Sequence, residues 1–184
     1  MSYVSGEDVF ATFLSKLPAT LLLAAMSMLL TLVISIPLGI LAAVRQNRAT
    51  DFIIRAASFV GNSLPNFFVA LVLMMLFSIH IPLFPVIAEG TSLASAVLPT
   101  LTLAIAMSSR YLRQVRAAVL EELSKAYVLG ARARGIPFRT TLVKSVLRAA
   151  LSTIMTLLAL SCGSLLGGMT VVETIFMWDG VGKL

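Results

Sequence analysis

Four stretches of this chain, residues 18–44, 56–79, 96–119 and 146–169, are almost continuously apolar, and the segments between them are richer in charge, proline and glycine. A helix that crosses a bilayer needs about 20 mostly apolar residues. The pattern therefore predicts an all-α integral membrane protein with four transmembrane helices. The third stretch is the weakest, because "SSRYLRQVR" charges its second half. Four spans with their loops use up the 184 residues. The expected organisation is one membrane domain over 1–184, without a separate soluble catalytic module.

Composition agrees with the pattern. Hydrophobic residues make up 59% of the chain and charged residues only 12%, against about 25% charged in soluble domains. Charge then orients the spans. If they alternate, one side of the membrane holds Arg45, Arg48, Arg55, Arg110, Arg113, Arg116, Lys125, Arg132, Arg134, Arg139, Lys144 and Arg148, and the other holds only Lys16 and Lys183. The side rich in Lys and Arg faces the cytoplasm. Glu7, Asp8, Glu89, Glu173 and Asp179 fall on the opposite side, in agreement. The sequence pI near 10.1 follows from this bias and requires no nucleic acid. The opening "MSYVSGEDVF" has no basic n-region and no adjoining apolar core, so it does not read as a signal peptide. With four spans both ends lie outside, and one further span at each end would be the more natural arrangement. The expectation is a chain incomplete at both ends.

The segment "SKAYVLGARARGIPFRTTLVKSVLRAAL" interrupts the apolar pattern. Lys125 to Arg134 suits a short helix, Gly135 fits the position after a helix end, and Pro137 forbids continuation. Such a rod is about 15 Å long, too short to cross a membrane. Two readings follow from composition: a solvated loop whose arginines meet lipid phosphates, or a docking knob whose small residues let a partner approach. Periodicity does not choose between them.

This segment resembles the EAA loop of the dipeptide, oligopeptide and nickel permeases of ATP-binding-cassette importers. Tyr127, Ala131, Arg132, Ala133 and Gly135 match that family's pattern, with Arg134 for its usual Lys. Leu147, Arg148, Ala150 and Leu151 match the part that follows, with Ala149 for Asn. "LPATLLLAAMSMLLTLVISIPLGILAA" is similar to the family's second helix and "SLPNFFVALVLMMLFS" to its third. "LGGMTVVETIFMWDGVGKL" is similar to the stretch after its fifth, in the first of the two paired permease types. Ser152 and Asp179 stand where Pro is usual, and Leu129 and Gly130 replace the Glu-Ala of the general motif.

The resemblance implies a six-helix fold of which this chain carries helices two to five, with a short cytoplasmic coupling helix. It implies an inner-membrane, multi-pass permease subunit for peptides or nickel and metal chelates. The partners implied are a sister permease, two cytoplasmic ATP-binding subunits and an extracytoplasmic substrate-binding protein. No cofactor is implied in the chain itself. Tyr127, Ala131, Arg132, Ala133, Arg134 and Gly135 would then form a plug seated on an ATPase.

Other residues carry two readings each. Asn62, Ser63, Pro65 and Asn66, early in the second span, either line a translocation path or bond helix to helix. Ala159, Gly163 and Gly167 recur every four residues, with Ser164 and Gly168 beside them. Such a small-residue stripe serves internal packing or a sister permease equally well. Glu173 opens an outer segment in which Trp178 suits the interfacial aromatic belt, or a plug facing a binding protein. His80 and Cys162, one of each in the chain, offer no metal-ligand set. A secondary transporter or channel would need ion-coupling acids inside the spans, and the acids cluster at span ends and loops. No paired nucleophile or Walker A stretch points to an enzyme. A truncated, non-functional permease fragment is the remaining alternative.

Overall fold

The stretch from Phe10 to Val44 is predominantly apolar, and the chain answers with one long helix, α1 (Val9–Val44). The structure is a computed structural model that describes residues 9–85 and 92–183; Glu7, Asp8, Glu89 and the rest of the loop 86–91 lie outside the described residues. Then come α2 (Ala49–Ser63), α3 (Asn66–Met74) continued by a π-helical turn (Met75–His80), and α4 (Leu93–Leu123). The short α5 (Ala126–Ala133) and α6 (Phe138–Thr141) follow, the latter passing through a π-helical stretch (Leu142–Val146) into α7 (Leu147–Ile175). A 3-10 turn, Val181–Lys183, closes the described chain. The described residues hold no strand.

The expectation of four spans is met in part. Two helical segments, Phe10–Val44 and Phe138–Gly163, are long and apolar enough to cross a membrane by themselves, and the pair Ala49–Ser63 with Asn66–His80 adds a third if taken as one broken span. Helix α4 is not among them. It is 31 residues long, but Pro99, Thr100, Thr102, Ser108 and Ser109 dilute it and Arg110, Arg113 and Arg116 follow. Its Ala96, Leu98, Leu103, Ala104, Val115 and Val119 are buried within the protein. A helix largely surrounded by protein does not need an apolar surface all round. The second expected span breaks at Pro65, which is extended (φ −63°, ψ 145°) and caps α3. Helix α7 runs unbroken through Ser152, where a proline would have removed a backbone hydrogen bond.

The chain forms two compact units. Thr31–Ser63 and Met107–Gly163 make one, and Met1–Leu30, Leu64–Ala106 and Ser164–Leu184 make the other. In the first, Ala43, Tyr111, Val115, Val119, Val128, Val146, Ala150 and Ile154 pack as one core. Tyr111 donates to the Ile154 carbonyl at 2.6 Å. Gly39 allows close approach there, since a Cβ would stand 2.7 Å from Val115 Cγ1 and 3.1 Å from the Leu112 carbonyl oxygen.

In the second unit the segment after α7 folds back on the start of α1. The Trp178 indole donates to the Ala19 carbonyl at 3.2 Å. Trp178 is fully buried, so it is a core residue and not a member of an exposed interfacial belt.

Candidate functional site

Helix α5 starts where Lys125 is extended (φ −71°, ψ 151°), with no side chain capping its first turn. It ends in a Schellman motif. The Ile136 N–H donates to the Ala131 carbonyl at 3.1 Å and the Gly135 N–H to the Arg132 carbonyl at 2.9 Å, and Gly135 adopts φ +75°. Glycine takes that conformation without the Cβ clash other residues meet, so the expected helix end stands where the sequence placed it.

The helix has two faces. Val128 and Ala131 point into the protein and are buried. Tyr127, Leu129, Gly130, Ala133 and Arg134 are exposed, Leu129 by 64%. A Cβ at Gly130 would meet nothing within 4 Å. The guanidinium of Arg132 lies 5.3 Å from the centre of the Phe138 ring, a cation–π distance. The six residues singled out from the sequence thus divide: Ala131 seats the helix, and the others are exposed.

Glu122, which the sequence reading assigned no role, holds the turn between α4 and α5. It is buried and forms an ion pair with Lys125, and it accepts a 3.0 Å hydrogen bond from the Tyr127 hydroxyl. The Lys125 ammonium beside it holds its carboxyl below the usual carboxylate range, against burial, which works the other way. The signal in the sequence was the spacing of three between Glu122 and Lys125.

The candidate path residues sit where α2 gives way to α3. Asn62, Ser63 and Pro65 are exposed and Asn66 is half-buried. Ser63 donates to the Phe59 carbonyl at 2.9 Å, and Pro65 accepts from the N–H groups of Phe68 and Val69 at 3.0 and 3.2 Å. Of the small-residue stripe, Ala159, Gly163 and Gly167 are all exposed, and a Cβ at either glycine would meet nothing within 4 Å.

Nothing in the sequence signalled that two further carboxylates, Asp51 and Glu173, are buried. Asp51, at the start of α2, is fully buried and receives both Nε (2.8 Å) and Nη2 (2.9 Å) of Arg116 and the Asn47 N–H (3.0 Å). Glu173, also fully buried, accepts from the Thr20 hydroxyl and from the Gly182 N–H, both at 2.7 Å. Among the described residues no group of three His, Cys, Asp or Glu side chains is arranged to hold a metal ion.

Comparison with known proteins agrees with this architecture. Residues 35–184 match the family model described as "Binding-protein-dependent transport system inner membrane component". The oligopeptide transport system permease protein AppB of Bacillus subtilis (strain 168) is 37% identical over 188 aligned positions, covering 97% of this chain and 60% of that protein. The metal-staphylopine import system permease protein CntB of Staphylococcus aureus (strain NCTC 8325 / PS 47) is 33% identical, covering 100% of this chain and 58% of that protein. The nickel import system permease protein NikB of Staphylococcus aureus (strain bovine RF122/ET3-1) is 36% identical, covering 100% of this chain and 54% of that protein. The chain therefore spans a little over half the length of these relatives. With four-fifths of its length inside the family model, the chain belongs to the binding-protein-dependent transport system inner membrane components.

Proposed function

We propose that this chain is a permease subunit of an ATP-binding-cassette importer and forms half of the path by which peptides, or nickel and metal chelates, cross the cytoplasmic membrane. The match of residues 35–184 to the family model carries the reading. The names of the relatives supply the two substrate classes. The chain performs no chemistry of its own, and ATP hydrolysis belongs to two separate cytoplasmic subunits. A sister permease completes the path and an extracytoplasmic binding protein delivers the substrate. Residues 1–184 act as one permease domain whose four membrane helices correspond to helices two to five of the six-helix family fold. Helix α4 is the third of them, and α2 with α3 is one broken span.

Helix α5 is the coupling element. Its exposed Leu129 and open Gly130 support seating on an ATPase, while Ala131 and Val128 anchor it to the permease. The exposed stripe of Ala159, Gly163 and Gly167 packs on the sister permease, and Asn62, Ser63, Pro65 and Asn66 face the path.

The test is a cross-link in native membranes. A Leu129→Cys chain with Cys162→Ala, treated with a thiol-directed photo-cross-linker, is expected to capture an ATP-binding subunit identifiable by mass spectrometry. Capture of lipid alone would mean that α5 is an electrostatic membrane anchor.

A further inference from the structure

Helix α2 buries two polar residues and exposes four large apolar ones. Asp51 and Ser58 are buried, while Phe52, Ile53, Phe59 and Val60 are 59–67% exposed. Beside Phe52 and Phe59, within the same compact unit, is an open cavity of about 420 Å³ lined by Phe52, Arg55, Ala56, Phe59, Arg113 and Arg116. Phe52, Ala56 and Phe59 recur at the four- and three-residue steps of one helix face.

Charge at this groove is unbalanced. Three guanidinium groups line it and the carboxylate within reach is Asp51. Arg116 holds that carboxylate in a two-point ion pair, and Arg55 approaches it at 3.4 Å with nearly half its side chain exposed. Arg113 is exposed on α4 and has no carboxylate partner among the described residues. The net charge left for an occupant is positive, on a wall that is otherwise aromatic and aliphatic. A small free anion would leave the phenyl groups uncovered, and an apolar helix would leave the guanidinium groups unanswered. An amphiphile with an anionic head satisfies both, and basic pockets at the Lys- and Arg-rich membrane face suit such headgroups.

We propose that this groove is a binding site for an anionic phospholipid of the leaflet at the Lys- and Arg-rich end. The phosphate is held by Arg55 and Arg113 and the acyl chains run along Phe52 and Phe59. Arg116, already committed to Asp51, is the fixed wall of the site.

The test uses the full-length protein purified from membranes with its bound subunits, titrated with phosphatidylglycerol or phosphatidylcholine and read by native mass spectrometry. Phosphatidylglycerol should be retained in preference to phosphatidylcholine. The double variant Arg55→Gln/Arg113→Gln should bind it about tenfold more weakly, and Arg139→Gln, an exposed arginine elsewhere, should bind as the parent does. Equal binding of the two lipids, or equal loss in Arg139→Gln, overturns the proposal in favour of bulk charge. Binding of soluble glycerol phosphate as tight as that of the lipid overturns it in favour of a simple anion site. Loss of a second permease subunit from the double variant, with lipid retention unchanged, overturns it in favour of a protein interface. Should the double variant not fold, the Phe52→Trp variant replaces it. Brominated phosphatidylglycerol should quench its added fluorescence, over the Trp178 background of the parent, more than brominated phosphatidylcholine does, and equal quenching overturns the proposal.

Discussion

The hydroxyl of Thr20 donates a 2.7 Å hydrogen bond to the carboxylate of Glu173, 153 positions further along the chain. The same hydroxyl oxygen accepts the Val181 N–H at 2.9 Å. One side chain of α1 thereby fastens both the end of α7 and the segment that follows it. Gly180 and Gly182 press against Glu173; a Cβ at Gly182 would stand 2.7 Å from its Oε2 and 2.6 Å from Thr170 Cα.

Thr20→Val keeps the shape and removes both bonds, leaving the Val181 N–H without its acceptor. Leaving a buried polar group unsatisfied costs roughly 1–3 kcal/mol, and a loss of about 2 kcal/mol in unfolding free energy is expected. Trp178 is the chain's one tryptophan and reports locally. Its emission should shift to the red in Thr20→Val as the segment loosens. An unchanged emission maximum together with unchanged stability would show that the clasp contributes nothing.

Helices α5 and α7 end in the same motif with different residues. After α7 the Trp178 N–H donates to the Glu173 carbonyl at 2.9 Å, and the residue in the left-handed conformation is Met177, at φ 56°. After α5 it is Gly135. A side chain costs about 1–2 kcal/mol in that conformation. Met177→Gly should therefore raise stability by about 1 kcal/mol, and Gly135→Ala should lower it by about as much. Thermal unfolding of the two variants checks the pair, and shifts of the same sign would contradict the conformational argument.

The turn into α5 should depend on pH through Glu122. Its folded-state carboxyl is held below the usual glutamate range, chiefly by Lys125. A group with a depressed folded pKa stabilises fully above its unfolded pKa, and that contribution is lost as pH falls through the folded value. The stability gap between parent and Glu122→Gln should be constant near neutrality and close as pH drops below about 4.5. A gap independent of pH would mean that the ion pair contributes no net stabilisation.

Bulk on the two faces of α5 should act differently. Gly130→Trp adds volume where the chain itself has open space, so the subunit should fold and insert normally, yet uptake and substrate-stimulated ATP hydrolysis in the complete importer should be abolished. Ala131→Trp overfills an internal contact, where overpacking typically costs roughly 1–3 kcal/mol, and should lower the melting temperature of the permease as well. Arg132→Ala should do less to transport, since an exposed charge contributes about 0–1 kcal/mol. Normal transport by Gly130→Trp would separate α5 from coupling.

The sequence by itself determined the helical class, the apolar runs behind α1 and α7, and the short helix stopped by Gly135 and Pro137. Those features depend on hydropathy within one span or on hydrogen bonds within one turn, and residues a few positions apart are enough to write them. Tertiary structure decided what depends on distant residues. Asp51 meets Arg116 across 65 positions, and no spacing rule links them. Glu173 was legible as an outer residue but not as the fully buried partner of Thr20. Trp178 looked like a belt residue because an indole suits an interface equally well, and only the return of its segment onto Ala19 buried it. Helix α4 was the weakest apolar run for a related reason. It is covered by its own chain, and a sequence shows how apolar a helix is without showing what surrounds it.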